Sequence, residues 1–370
     1  MAELLLDSLE IKGYRCFEHL TIEKLGRVNL IVGKNNVGKT ALLEALRIYA
    51  TRGTNETLLR LLNWRDEIPF YVSDNSRNIL FHKEDLVSQA GNLFYGRPKL
   101  NLRSNENMKI KSSNSSLHIY TTKLMDQDEN LISDPIAFQK TWGNLPRGLL
   151  IFSKFKSPNQ DQIQTEFYSL DVTQSFISER IPELKHEFVS SGISDNIRLV
   201  QLWDDAVINN LEAEAIKFLQ IIENKIEYIN FVATSAGFRY PIASNGKSSN
   251  RVTLKSYGEG MSRLLGLSLA FVQCKGGLLL IDEIESGLHY SILPDVWKLI
   301  FKTAKDLNVQ VFATTHSKDC IEAFTKAAVD DEESEGMLIR LERNKNDKII
   351  AKTIEEENLA LAVDYGAEVR

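Results

Sequence analysis

Gly33-Lys34-Asn35-Asn36-Val37-Gly38-Lys39-Thr40 concentrates more chemistry than any other stretch of this chain. It fits the pattern G-x-x-x-x-G-K-[ST] in full. Glycines at these positions let peptide N–H groups turn inward around a phosphate chain. A helix starting just after them adds unsatisfied donors and a favourable dipole. Lys39 would reach the β- and γ-phosphates, and the Thr40 hydroxyl would sit on a magnesium ion. The flanks suit this role: Arg27 to Gly33 reads as a short buried strand and Thr40 to Tyr49 as a helix.

Three further groups follow in order. Ser256-Tyr-Gly258-Glu-Gly260 precedes an evident helix, Met261 to Phe271, so serine and glycines stand at a helix N-terminus, a second anion site. Leu278-Leu-Leu-Ile-Asp282-Glu283 is an apolar strand ending in two acids, delivered to the strand's C-terminal tip where ligands bind in open α/β sheets. Asp282 would hold the magnesium water shell, and Glu283 would accept a proton from an attacking water. Phe312-Ala-Thr-Thr315-His316-Ser317 ends another apolar strand, and a histidine there can polarise a γ-phosphate. A lone acidic turn, a plain helix cap or a surface histidine is each the commoner fate of such residues. Their occurrence together, after a phosphate loop, shifts the reading to function. One triphosphate rarely needs two glycine-rich anion sites in one chain. A dimer in which each site is completed by the partner explains both.

These residues need a scaffold, and the hydrophobic pattern supplies one. Leu6–Lys12 and His19–Glu23 alternate as strands leading into the phosphate loop, and residues 56–66 look helical. From about Ile68 to Asp195 asparagine and serine become common and the pattern is strand-like. Met108 to Tyr120 reads as a hairpin with a polar turn, with further strands at 149–152 and 162–168. This segment is expected as an inserted β-rich lobe serving packing or an interface. Asn196 to Lys225 is amphipathic, with Leu199, Leu202, Val207, Leu211, Ile216, Leu219 and Ile222 tracing one apolar face of a short helical arm. Strands return at 226–232, 238–242 and 251–255, with a turn at Asn245-Gly246. The last hairpin is expected between 337–342 and 348–354, after an acidic run, Asp330 to Glu335. The expected fold class is therefore α/β, a P-loop nucleotide-binding core split as 1–67 and 226–370, with the lobe over 68–195 and the arm over 196–225.

Composition narrows the class further. The chain has 370 residues, 43% hydrophobic and 25% charged, with a net charge of −6. This is ordinary for a globular protein and argues against a strongly basic coat for nucleic acid. Cys16, Cys274 and Cys320 form no C-x-x-C pair, which argues against a disulfide framework, a zinc ribbon or a zinc hook and suits a reducing cytoplasm. The N-terminus has no signal-peptide pattern, and no run approaches the roughly 18–20 apolar residues that span a bilayer.

Taken together, Leu9-Glu-Ile-Lys-Gly-Tyr-Arg-Cys-Phe17, the phosphate loop through Arg47, and the motifs from Ser256 to Ile321 resemble ABC-type ATPases of the SMC and RecF kind. More closely they resemble the ATPase of the OLD family and its relatives in phage defence. The resemblance covers under half of the chain, on specific motifs. It implies that Ser256 and Gly258 are the signature serine and glycine, with Tyr257 departing from the usual first glycine. It implies that Ser286 to His289 form the D-loop, that His316 is the switch histidine, and that Gln89 is the candidate for the glutamine loop. ATP and magnesium are the implied cofactors, and a homodimer or higher homo-oligomer is the implied assembly.

One departure matters. OLD nucleases continue past the switch histidine into a TOPRIM domain with Asp-x-Asp metal ligands, and the tail here has none. The chain therefore resembles the ATPase half of a split system, whose ending, Leu359 to Arg370, suggests a separate nuclease-like partner. The acids of the lobe, Glu84, Asp85, Asp126, Asp128 and Glu129, read as solvated turns. The expected function is a cytoplasmic ATP switch controlling such an effector in antiviral defence. Alternatives are a RecF- or SMC-like ATPase acting on DNA directly, a nucleotide-dependent scaffold, and a transporter subunit, which the modified signature disfavours.

Overall fold

Alternating apolar residues near the N-terminus form an antiparallel hairpin, β1 (Leu9–Tyr14) and β2 (Phe17–Ile22), followed by β3 (Val28–Val32). The computed structural model describes residues 3–67, 71–72, 79–80, 89–100, 106–123, 149–157, 160–169, 175–177, 182–192, 196–235, 237–244, 251–330 and 335–355. After β3 come α1 (Lys39–Ala50), α2 (Asn55–Trp64) and a two-stranded pair, β4 (Tyr71–Val72) with β5 (Ile79–Leu80). Five more antiparallel strands follow: β6 (Asn107–Ser112), β7 (Ser115–Lys123), β8 (Leu149–Ser157), β9 (Gln160–Ser169) and β10 (Ser175–Ile177). The strand β11 (His186–Val189) leads to α3 (Asn196–Ile208) and α4 (Glu212–Leu219). A small sheet of β12 (Tyr228–Ala233), β13 (Arg239–Ser244) and β14 (Val252–Thr253) precedes α5 (Glu259–Gln273). The chain then runs through β15 (Leu278–Ile281), α6 (Leu293–Asp306), β16 (Gln310–Thr314), α7 (Lys318–Val329), β17 (Gly336–Arg343) and β18 (Ile349–Glu355).

Two sheets frame α1. The central one has the order β11-β15-β16-β3-β17-β18, parallel throughout except for β18. The other has the order β10-β9-β8-β7-β6-β1-β2 and is antiparallel. Successive residues of the central strands feed opposite cores. Leu30, Leu279, Ile281, Val311 and Ala313 join the helices α3 to α7 on one face. Ile31, Leu278, Leu280, Phe312 and Ile339 join α1 and the antiparallel sheet on the other. Because α1 lies between two sheets, it is buried nearly all round, Glu44 included. This is an α/β fold with a parallel P-loop core, and the strand-loop-helix order read from sequence places the phosphate loop at the tip of β3.

Several sequence expectations change. The segment 68–195 contributes to both sheets. β6 to β10 extend the β1–β2 hairpin, whereas β11 pairs with β15 in the central sheet. His186-Glu-Phe-Val189 is too short and too polar to announce a core strand. The arm is two helices, since Asn210 adopts φ 56° and breaks it. The single apolar face therefore does not persist: Leu199, Leu202 and Leu219 are buried, whereas Val207 and Ile222 are exposed. The expected strand 251–255 is cut to two residues by a 3-10 turn, Leu254–Tyr257. Asn245-Gly246, most of the acidic run, the five lobe acids and the ending 359–370 lie outside the described residues. Among the described residues no helix is long and apolar enough to cross a membrane.

Candidate active site

The loop Gly33–Thr40 closes on itself. Lys39 is buried, and its Nζ donates to the carbonyl oxygens of Gly33 at 2.7 Å and Lys34 at 2.9 Å. Burial pushes its ammonium below the ordinary lysine value, while the charges of Asp282, Glu283 and Glu285 oppose that shift. Asn36 takes φ 61° and Gly38 φ 91°, the left-handed turns that aim peptide N–H groups inward. At Gly38 a Cβ would come within 2.7 Å of both Cys16 Sγ and Phe17 Cζ. The β1–β2 turn is thus pressed against the loop, and only glycine fits. Arg343, the last residue of β17, braces the other side by donating to the Asn36 carbonyl at 3.2 Å. Lys34, Asn35 and Asn36 are exposed, and Val37 packs inward.

The acid pair stands at the tip of β15. Thr40 Oγ1 lies 3.3 Å from Asp282 Oδ1 and 3.2 Å from Oδ2. Thr314, at the tip of the neighbouring β16, donates to Asp282 Oδ1 at 2.6 Å and accepts from the Glu283 N–H at 2.9 Å. A hydroxyl facing a carboxylate is a hard-oxygen set that fits magnesium, with phosphate oxygens and water as the remaining ligands. Glu283 has φ 46°, a left-handed turn for a residue with a side chain, which costs on the order of 1–3 kcal/mol and needs surrounding support. That support comes from Arg263 in α5. Its Nη2 donates to the Asp282 and Glu283 carbonyls at 3.1 and 3.2 Å, and its Nη1 donates to the Ser190 carbonyl. His316 Nε2 lies 3.9 Å from Glu283 Oε1, and both side chains are partly open to solvent.

The structure therefore brings the phosphate loop, Asp282, Glu283 and His316 together. Among the described residues neither Ser256 nor Gly258 makes a hydrogen bond to them. Ser256 Oγ bonds to Thr253 Oγ1 at 2.9 Å on the exposed start of α5. Gly258 has φ 98°, and a Cβ there would meet nothing within 4 Å. In the expected D-loop, Ser286 Oγ donates to the Ser191 carbonyl at 2.9 Å, while Gly287 and His289 are exposed. Gln89 accepts from Asn92 at 2.9 Å and makes no hydrogen bond to the site among the described residues. Sequence reasoning missed Thr314, Arg263, Glu285 and Arg343. For Thr314 the signal was present, a hydroxyl two residues before the switch histidine. For Arg263 and Arg343 no local signal exists, because their partners are distant in sequence.

Residues 28–319 match the family described as "AAA domain, putative AbiEii toxin, Type IV TA system". The chain is similar to an ATP/GTP phosphatase of Helicobacter pylori, 24% identical over 379 residues, covering 96% of this chain and 97% of that protein. It is also similar to the DNA replication and repair protein RecF of Bacillus mycoides, 24% identical over 131 residues, covering 35% of this chain and 33% of RecF. Among solved structures, an SMC head bound to the C-winged helix domain of ScpA aligns with a TM-score of 0.49 and 12% identity, covering 96% of this chain and 99% of that one. Since the family match spans well over half of the chain and includes the phosphate loop, both acids and His316, the chain belongs to the AAA-domain family so described.

Proposed function

We propose that the chain is an ATP-hydrolysing switch that pairs with a second copy on binding ATP and thereby controls a separate effector. The observation that carries this reading is the convergence of Thr40, Asp282, Glu283 and His316 at the loop that Lys39 closes. In this reading the loop N–H groups and Lys39 hold the β- and γ-phosphates. Thr40 and Asp282 hold magnesium, which when bound neutralises charge on the phosphates. Glu283 takes the proton of the attacking water, and His316 donates toward the γ-phosphate from Nε2. Ser256 and Gly258 reach the γ-phosphate of a second copy, which their exposure supports.

The effector is a nuclease of TOPRIM type in antiviral defence, within the cytoplasm. This finer part rests on the likeness of the motifs to OLD-type ATPases. The family description, which names a toxin and a Type IV TA system, is compatible with a defence setting. A second reading, direct action on DNA, is favoured by the similarity to RecF. DNA binding by the purified chain with ATP, with no need of a second polypeptide, would support it instead.

The test of the hydrolytic core is Glu283→Gln. The amide cannot accept the proton, so ATP binding persists and turnover falls on the order of 100-fold or more. Near-normal steady-state hydrolysis by this variant would move the general base elsewhere.

A further inference from the structure

Glu285 lies two residues past the acid pair, and the reaction described above gives it no role. Its carboxylate leaves the turn after β15 and reaches the loop after β16. There Oε1 accepts from the N–H of His316 at 2.9 Å and from the N–H of Ser317 at 3.2 Å. Oε2 is buried with no hydrogen-bond partner among the described residues. The described hydrogen bonds of this carboxylate are thus both to peptide donors of the switch loop. Ser317 is also the N-cap of α7, its hydroxyl accepting from Cys320 N–H at 3.3 Å. A carboxylate just ahead of a helix start is favoured by the helix dipole as well as by the two bonds.

We propose that Glu285 is a positioning residue that clamps the switch loop and so sets His316 against Glu283. The proposal rests on the hydrolytic reading above for its consequence, but the clamp itself is a structural claim. Glu283 and Glu285 share one turn. Glu283 bears the carboxylate 3.9 Å from His316 Nε2, and Glu285 holds the His316 peptide. A single turn therefore carries both the base and the ruler that sets the distance to the histidine. Thr314 ties the same two strands from below, through Asp282 and the Glu283 N–H. What Glu285 adds is control of the residue beyond the strand, where the backbone has left the sheet ladder. Misplacement of a reacting group by about 1 Å can cost on the order of 100-fold in rate. The bond to the His316 peptide opposes that slip, and the Ser317 N–H is shared between Glu285 and Thr315 Oγ1, which lies at 3.0 Å.

The carboxylate also lies close enough to affect the titration of Lys39 and Arg263, so a purely electrostatic role must be separated from the clamp. Glu285→Gln does this, because the amide oxygen still accepts while the charge is gone. Glu285→Met removes the acceptor at similar volume. The expected result is that the Met variant binds ATP as the wild type does, within about threefold, and loses kcat by about 10- to 100-fold. The Gln variant recovers most of that kcat. In a His316→Ala background the Met substitution costs less than about twofold more, because its effect runs through the histidine.

Amide hydrogen exchange over the peptide containing His316 and Ser317 reads the clamp without any turnover. Exchange should accelerate in the Met variant and stay slow in the Gln variant. Unchanged exchange in Glu285→Met overturns the clamp, as does equal loss of kcat in the Gln and Met variants, or multiplying losses in the double variant. Absence of hydrolysis by the wild type would instead sink the hydrolytic reading, with the exchange result still deciding the clamp.

Discussion

Lys39 has two sets of partners, and only one is obvious from its motif. The motif assigns it to phosphate. The structure adds that it ties off its own loop through the Gly33 and Lys34 carbonyls. Lys39→Ala therefore removes a cation from the phosphates and two donors from the loop. Hydrogen bonds to charged groups contribute about 1.5–3 kcal/mol each, so ATP affinity should fall at least about 10- to 150-fold. Calorimetry showing unchanged affinity would contradict the assignment of this loop. At this scale the site was legible wherever chemistry is local in sequence. The loop, the acid pair and the histidine announce themselves through neighbours only a few positions away. Arg263 and Arg343 do not, because the carbonyls they serve lie at Asp282, Glu283 and Asn36. A backbone carbonyl leaves no mark on the sequence that would betray its donor.

At the scale of elements, α1 is held by charge as well as by its apolar flanks. Glu44 is fully buried, forms an ion pair with Arg15 Nε at 2.8 Å, and accepts hydrogen bonds from Arg65 Nε at 2.6 Å and Tyr14 OH at 3.0 Å. Arg15 in turn pairs with Glu67 just past α2. This network bolts the β1–β2 turn, α1 and the end of α2 together, and the same turn presses on Gly38. Removing one member of a buried network strands the others. Glu44→Ala should thus destabilise the chain by about 3–5 kcal/mol, read as a lower urea midpoint with an unchanged slope. A loss below about 1 kcal/mol would mean that water or rearrangement replaces the carboxylate. The network shows what sequence could not give. A helix was expected after the loop, but not that antiparallel strands would cover one of its faces. Strand periodicity identified β6 to β9, since their alternation is local. It could not say which sheet they join, because that is decided by the pairing of β6 with β1 across nearly a hundred residues. The arm failed for a similar reason, as one left-handed asparagine resets the helical phase.

For the molecule as a whole, the question is how one chain completes its site. Among the described residues the phosphate loop is touched by the β1–β2 turn, the tip of β15 and β17. Ser256 and Gly258, expected from sequence as a second anion site, are exposed just ahead of and at the start of α5. That helix also carries Arg263, which holds the carbonyls behind the acid pair. A second copy seated on the start of α5 would therefore press on a helix already tied to the catalytic turn. The cleanest test changes surface charge without backbone strain. Gly258→Asp is the poorer choice, because φ 98° with ψ 171° is a conformation that side chains rarely tolerate, and a folding defect would mimic a pairing defect. Ser256 is exposed and sits in an ordinary 3-10 turn, so Ser256→Glu places a carboxylate, with little strain, where the proposed pairing would bring a partner's γ-phosphate. Like charges at such a contact disfavour association. In a Glu283→Gln background, light scattering should then show ATP-dependent pairing with Ser256 intact and its loss with Ser256→Glu, while calorimetry shows ATP binding to the single chain unchanged. With Glu283 restored, turnover should fall in step with pairing. A Ser256→Glu chain that assembles and hydrolyses normally would place the signature outside the shared site and leave each chain to complete its own.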